Sequence, residues 1–329
     1  MSDSDGCSKS DTGNAPKEML SMTTEGDQTH VKINFSSLDL IQTCPRKAYY
    51  TLVRKIRGGT SPALMFGTAV HKALESWYLT PLEQRIIPTN ALDKAKLHLY
   101  SSDRPFGPDS EVPMYNAIHE FIMHSDPNVP DSDKRCQLNG IKILVEYFKR
   151  YKDDGLTVVS DSKGPMVERR VEFPIHVSPD LKITYFGTVD VILENKQTGV
   201  VMVVDHKTTS ALGSGFYNRV KPNHQYTGYV QGAQVDLGLD TNLFMINGLQ
   251  VAKTKYDFAR QVTERTEEDF EELKNAVLMN VRLFMTFHES GIWPQNAPQP
   301  CTMYGSCKFL KACEVPSNIR ESVIRSLEE

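Results

Sequence analysis

The chain has 329 residues, 40% of them hydrophobic and 24% charged, enough for one large domain or two modest ones with a real core. No stretch approaches the ~18–20 consecutive apolar residues of a membrane span, and the acidic, polar start is neither a secretory signal nor an Arg-rich transit peptide, so a cytoplasmic protein is expected. The net charge of −4 argues against a surface that binds nucleic acid all over.

In chain order, residues 1–30 carry Asp3, Asp5, Asp11, Glu18, Glu25 and Asp27 against two lysines, among Ser, Thr and Gly, and are expected to form a disordered acidic tail. Order then begins near INFSSLDLIQTC, where Ser36 or Ser37 can cap a helix carrying Leu38, Ile41 and Cys44. CPRKAYYTLVRKIRGG follows, with Arg46, Lys47, Arg54, Lys55 and Arg57 and no acid. It is either a phosphate-tracking basic patch with aromatics or a solvated helix face. FGTAVHKALESWYL places Val70, Ala73, Leu74, Trp77 and Tyr78 at spacings of three and four and predicts an amphipathic helix. Residues 81–160 read as a helical insertion, its clearest helix being NGIKILVEYFKRYKDD with Asn139 as a candidate cap.

The pattern then turns to period two. MVERRVEFPI, KITYFGTVDVILE and GVVMVVDHKTT predict three strands, the last two joined by the turn NKQTG with Gly199 available for positive φ. HQYTGYVQGAQVDLG reads as a helix, TNLFMINGLQVAK as a strand, and TEEDFEELKNAVLMNVRLFMTFHES as a long helix capped by Thr266. A cysteine-bearing segment at 298–315 and a tail at 316–329 close the chain. The expected fold is α/β (α+β): a mixed sheet of about four or five strands flanked by helices, within a domain spanning 31–315.

The stretch VVDHKTTS concentrates the chemistry. A buried β-branched run ends on Asp205, His206 and Lys207. Side chains i and i+2 of a strand share a face, so Asp205 and Lys207 project together while His206 points the other way. Asp190, in GTVD on the preceding strand, can sit beside Asp205. Two carboxylates form a hard-oxygen site of the kind Mg²⁺ prefers, and the backbone carbonyl of His206 is a further oxygen ligand. A divalent cation makes water acidic enough to attack, and a neighbouring lysine can orient that water or offset charge building on a phosphate. The bland reading is an Asp–Lys surface pair closing a hairpin.

GTAVH at 67–71, GTVD at 187–190, DHKT at 205–208 and QYTGY at 225–229 occur in the order found in RecB-type nucleases. Over residues 35–313 the chain thus resembles the PD-(D/E)XK superfamily, whose relatives include the AddB subunit of helicase–nucleases, the CRISPR adaptation exonucleases and many phage exonucleases. The resemblance implies a restriction-endonuclease-like fold. It implies that His71, Asp190 and Asp205 bind Mg²⁺ or Mn²⁺, that Lys207 is the catalytic lysine, and that Gln225 and Tyr229 form the downstream Q-x-x-x-Y pair. It also implies an acidic residue on the strand before the metal pair, either Glu168 or Glu172; Glu172 is preferred because an apolar–Pro dipeptide follows it.

Cys301, Cys307 and Cys313 are spaced C-x5-C-x5-C, and Cys44 stands far upstream. Four thiolates can hold zinc or an iron–sulfur cluster. Two C-x₂₋₄-C knuckles, usual for zinc, do not occur. One distant cysteine plus a C-terminal trio resembles the iron–sulfur RecB-type nucleases, though their first two C-terminal cysteines are commonly closer together. The resemblance implies a four-iron, four-sulfur cluster stapling the two ends of the domain, which show no obvious hydrophobic seam, and bringing Arg46 and Lys47 near the substrate path.

These readings converge on a metal-dependent deoxyribonuclease, expected to be an exonuclease acting in recombination, repair or DNA-end processing. A non-catalytic DNA-binding or assembly module on the same fold is the alternative, and the full set of metal ligands favours the enzyme. No G-x-x-x-x-G-K-[ST] loop is present, so any unwinding falls to a helicase or recombination partner.

Overall fold

The structure is a computed structural model that describes residues 19–56, 61–101, 106–107, 109–302 and 306–327. Its elements begin with strands β1 (Leu20–Glu25) and β2 (Gln28–Ile33) and helices α1 (Phe35–Thr43) and α2 (Pro45–Ala48), followed by a π-turn at Tyr49–Val53. Helices α3 (Pro62–Leu79), α4 (Ala91–Tyr100), α5 (Pro113–His124) and α6 (Gln137–Tyr151) come next. Strands β3 (Leu156–Val158), β4 (Ser160–Asp161), β5 (Gly164–Pro165), β6 (Val167–Val177), β7 (Leu181–Asn195) and β8 (Val201–Thr209) precede helices α7 (Ser214–Tyr217) and α8 (His224–Val235). After β9 (Leu243–Gln250) and β10 (Phe258–Glu264) the chain ends in α9 (Glu267–Ser290), α10 (Gln299–Thr302), α11 (Leu310–Glu314) and α12 (Ser317–Arg325).

Eight of these strands form one mixed sheet, ordered β1-β2-β7-β8-β9-β10, with β6 and β3 also paired to β7. The expected strands and helices are all there; β1, β2, β3 and β10 come in addition. α3, α4, α5 and α6 cover one face over Val191, Leu193, Met202 and Val204. α1, α8 and α9 cover the other over Ile183, Tyr185, Val189, Ile192 and Val203. β8 is therefore buried from both sides, which is why its sequence is a continuous apolar run rather than an alternation.

β7 organises the sheet. β2 lies parallel to it over Leu181–Tyr185, and β8 lies antiparallel to it over Val191–Glu194. Between those stretches, residues 186–190 have neither strand beside them. The sheet forks there, and α8 packs close behind. A Cβ on Gly187 would come 2.8 Å from Tyr229 Cε1, and one on Gly228 would come 2.5 Å from Tyr185 Cε1, so these two motif glycines let helix and strand approach.

The expectation of a disordered tail over 1–30 is corrected for its last third. Residues 1–18 lie outside the described residues, but β1 and β2 form a hairpin whose two-residue turn starts at Gly26, with φ of 60°. Polar composition hid the alternation that buries Val31 and Ile33. The tail at 316–329 is likewise corrected: α12 lies within it and buries Ile324. Two caps shift as well. Asn34 Oδ1, not Ser36 or Ser37, accepts the first helix's free N–H, from Ser37 at 2.9 Å. Asn139 sits inside α6, where its amide donates to Lys134 O and Ala252 O. Thr266 caps α9 in a full capping box, as expected. No helix among the described residues is long and apolar enough to cross a membrane.

Candidate functional site

α3 begins at Ser61, whose Oγ accepts from Leu64 N at 3.2 Å, with Pro62 at its first position. Its apolar stripe seats it on the sheet, and Gly67 passes so near β8 that a Cβ would lie 3.4 Å from Thr208 Oγ1. One turn later His71 reaches the fork, with Nδ1 3.3 Å from Asp190 Oδ2.

The last paired residues of β7 and β8 are Val191 and Val204, so Asp190 and Asp205 are the next positions as the strands part. The free donor there, His206 N–H, goes to Asp190 Oδ2 at 2.7 Å. Asp205 is almost fully buried and its Oδ1 accepts from Lys207 Nζ at 3.1 Å. The same ammonium stands 2.8 Å from Oδ2, so it bridges both oxygens of the carboxylate. His206 turns to the opposite face, stacked on Tyr78 at 5.4 Å between ring centres. The i, i+2 reading of Asp205 and Lys207 therefore describes the side chains as they lie.

The preference for Glu172 is corrected. Glu172 faces away from the fork, pairing with Lys32 at 2.7 Å and Arg170 at 3.1 Å. Glu168 comes to the fork instead. Ligand atoms of His71, Glu168 and Asp190 all lie within 4.8 Å of one another. Strict alternation puts both glutamates on one face, but Glu168 has φ of 48°, and this left-handed residue breaks the alternation. Such a backbone costs a non-glycine residue on the order of 1–2 kcal/mol, and it occurs here beside the acid cluster.

On α8, Gln225 Nε2 donates to Tyr229 OH at 3.0 Å, so the pair shares a face as its spacing implies. Between them Tyr226, not singled out from the sequence, lies with its ring centre 5.9 Å from Lys207 Nζ. Its place one residue after Gln225 in a motif quoted for other positions is the only signal that pointed to it.

The electrostatics are those of a crowded acid site. Burial pushes the Glu168 carboxyl up to about 7, with Asp190 and Glu75 adding to it. Burial likewise raises Asp205 to about 6, Asp190 adding and Lys207 opposing. For His71, burial alone would lower the value, but Asp190 overcomes it and holds the imidazole up at about 9. Asp190 is depressed despite its burial, chiefly by His71. Lys207 is raised against its burial by Asp205 and stays an ammonium. Burial lowers His206 to about 3 and keeps it neutral. Three acidic side chains, Glu168, Asp190 and Asp205, and the His71 imidazole in one pocket match the donor set of a divalent cation.

The cysteines occupy a separate lobe at the chain ends. Burial raises the Cys313 thiol, which senses Arg46 and the thiols of Cys44 and Cys307. Cys307 N–H donates to Cys301 O at 2.9 Å, keeping that residue beside the others. Cys136 lies elsewhere, at the start of α6, and Cys7 lies outside the described residues. Contrary to expectation, an apolar seam does join the two ends: Tyr50, Ile56, Phe309, Ala312 and Ile324 are buried together. Arg54 adds a two-pronged pair to Glu321 at 2.9 and 3.0 Å. Arg46 donates to Trp293 O and Gln295 Oε1, both at 3.1 Å. Arg57 of the basic patch lies outside the described residues.

Residues 32–314 match the PD-(D/E)XK nuclease superfamily. No curated protein sequence matches the chain. Among solved structures, a "Putative exonuclease" of Eubacterium rectale is similar at 14% identity and a TM-score of 0.41, covering 88% of this chain and 92% of that one. The protein SSO0001 is similar at 11% identity and a TM-score of 0.32, covering 79% and 78%.

Proposed function

The chain belongs to the PD-(D/E)XK nuclease superfamily, and from that premise we propose that it is a divalent-metal-dependent deoxyribonuclease, working as an exonuclease. What supports this is the convergence of His71, Asp190, Asp205 and Lys207 at one fork in the sheet, from two strands and a helix on the opposite layer. His71, Asp190, Asp205 and the His206 carbonyl would hold Mg²⁺ or Mn²⁺, with Glu168 taking the role first given to Glu172. A cation there neutralises phosphate charge and makes water acidic enough to attack phosphorus. Lys207, kept protonated by Asp205, orients the attacking water and offsets charge building on the phosphate. Gln225 fixes the Tyr229 hydroxyl, and both act by keeping α8 and its Tyr226 against the lysine. DNA is the substrate, and duplex unwinding is left to a helicase or recombination partner.

The test is a digest of 5′- and 3′-labelled oligonucleotides with Mg²⁺, Mn²⁺ or EDTA. Stepwise loss of nucleotides from one end, abolished by EDTA, is expected. Intact substrate under every metal condition would favour the binding-module reading, and internal cuts would replace exonuclease with endonuclease.

Metal loading should show itself without substrate. Glu168, Asp205 and His71 all have folded values above their ordinary ones. Each therefore stabilises the metal-free fold while protonated, and that contribution fades as pH rises toward about 6 for Asp205, about 7 for Glu168 and about 9 for His71. A cation must displace those protons and replaces their effect at high pH. Saturating Mn²⁺ should thus raise Tm more at about pH 8 than at about pH 5.5. An equal rise at both, read by scanning calorimetry, would count against these ligands.

For the cysteine lobe the proposal is a four-iron cluster on Cys44, Cys301, Cys307 and Cys313, with zinc as the alternative. What supports it is that the Cys313 thiol feels the charges of Arg46, Cys44 and Cys307, so these three cysteines share one lobe. Protein purified without oxygen should be brown and lose its colour in Cys313→Ser. Colourless protein with one zinc per chain would select zinc.

A further inference from the structure

Behind the carboxylates, on the β8 face that carries His206, polar groups from several elements meet in one buried assembly. Asn247 of β9 is its centre. Its Nδ2 donates to His206 Nδ1 at 2.7 Å and to Tyr147 OH at 2.7 Å, and its Oδ1 accepts from Arg260 Nε at 3.2 Å. Tyr147 OH bonds Tyr78 OH at 2.9 Å, and Arg260 Nη2 lies 3.3 Å from both hydroxyls. Asn247 is fully buried in a strand whose neighbours Phe244, Met245, Ile246 and Leu249 are apolar. An apolar residue is the simple choice at such a position, since a buried amide costs stability unless every bond is made. Here every bond is made, and one of them goes to the strand of the acid pair.

That strand needs the help. Beyond Val204 it has no ladder to β7, because the fork has opened and its next donor serves the Asp190 side chain. What grips it is β9, where His206 and Asn247 are directly paired, and the His206 ring between Asn247 and Tyr78. We infer that Asn247 is a positioning residue for the metal site: by holding the His206 ring it sets the backbone from which the His206 N–H meets Asp190 and the Asp205 side chain and His206 carbonyl face the cation. The inference rests on the nuclease reading above.

Asn247→Leu and the smaller Asn247→Ser test it, with Tyr147→Phe as the control that weakens the same assembly without touching His206. Mn²⁺ binding is read directly by electron paramagnetic resonance without DNA, alongside the Mn²⁺ concentration giving half-maximal cleavage. Both Asn247 variants should bind Mn²⁺ at least about tenfold more weakly, the scale of losing a group that orients a ligand, with the half-maximal concentration rising in parallel. Tyr147→Phe should lose thermal stability yet bind within about threefold of wild type. Asn247 variants that bind as tightly as wild type would overturn the inference, as would a Tyr147→Phe that weakens binding equally, since the effect would then follow stability alone. Asn247→Ser carries the test where the leucine does not fold. A wild type that takes up no Mn²⁺ would instead overturn the metal reading itself, and this inference with it.

Discussion

Asp205→Ala is expected to lower cleavage on the order of a thousandfold or more at saturating substrate, with secondary structure and melting behaviour close to wild type. Burial raises the Asp205 carboxyl, Lys207 opposing and Asp190 adding, and its Lys207 partner is 36% exposed, so water can take over the ammonium and the metal-free fold loses little. Removing the carboxylate strips one ligand and the partner of Lys207 together. Lys207→Ala should be as inactive for a different reason: the cation ligands remain, so Mn²⁺ binding persists while turnover stops. The pair thus separates holding the cation from using it. Excess Mn²⁺ should partly rescue a ligand-poor site but not Lys207→Ala. Circular dichroism, Mn²⁺ binding and single-turnover cleavage on one preparation make the comparison. Full activity in carefully purified Asp205→Ala would remove the assignment.

Much of this site is written locally. An apolar run that stops at Asp-x-Lys forces a buried strand to end in charge, and period two alone puts Asp205 and Lys207 on one side. His71 and the Gln225–Tyr229 pair follow from helical spacing once their helices are recognised. The choice between Glu168 and Glu172 fails for a backbone reason. Alternation assumes extended φ throughout, and nothing in VERRVEF announces a left-handed residue without glycine. The hairpin over residues 20–33 stayed hidden because strands with a partly solvated face can be built from Thr, Gln, His and Lys. Gly26 followed by Asp27 was its one turn signal. The seam between the chain ends escaped because Tyr50 and Phe309 are separated by most of the sequence, yet their ring centres lie 4.8 Å apart. Asn247 and Arg260 were illegible for the same reason: Tyr147 and Asp154 lie 100 and 106 residues from them, and no local pattern names such partners.

Arg260→Met is expected to destabilise the protein by roughly 3–5 kcal/mol, the usual cost of stranding one partner of a buried ion pair. The guanidinium is nearly enclosed. It pairs with Asp154, lies 3.7 Å from the centre of the Tyr151 ring, and donates to Asn247 and two tyrosine hydroxyls. Methionine can fill the aliphatic volume but supplies none of the donors. Asp154, also shielded, is then left as an uncompensated carboxylate, and Asn247 Oδ1 loses its donor. Asp154→Asn should cost less, since an amide keeps an acceptor for the guanidinium and leaves the arginine its other partners. The double variant Arg260→Met/Asp154→Leu separates the contributions: if the stranded carboxylate dominates, removing it recovers a large part of the loss, because replacing both members of a buried pair is often near neutral. If the double variant stays as unstable as Arg260→Met, the loss lies with the tyrosines and Asn247 instead. Urea unfolding followed by tryptophan fluorescence reads all three, Trp77 being stacked on Phe148 and the two rings being the immediate sequence neighbours of Tyr78 and Tyr147. An Arg260→Met protein within about 1 kcal/mol of wild type would show that the assembly behind β8 is solvated in solution rather than closed.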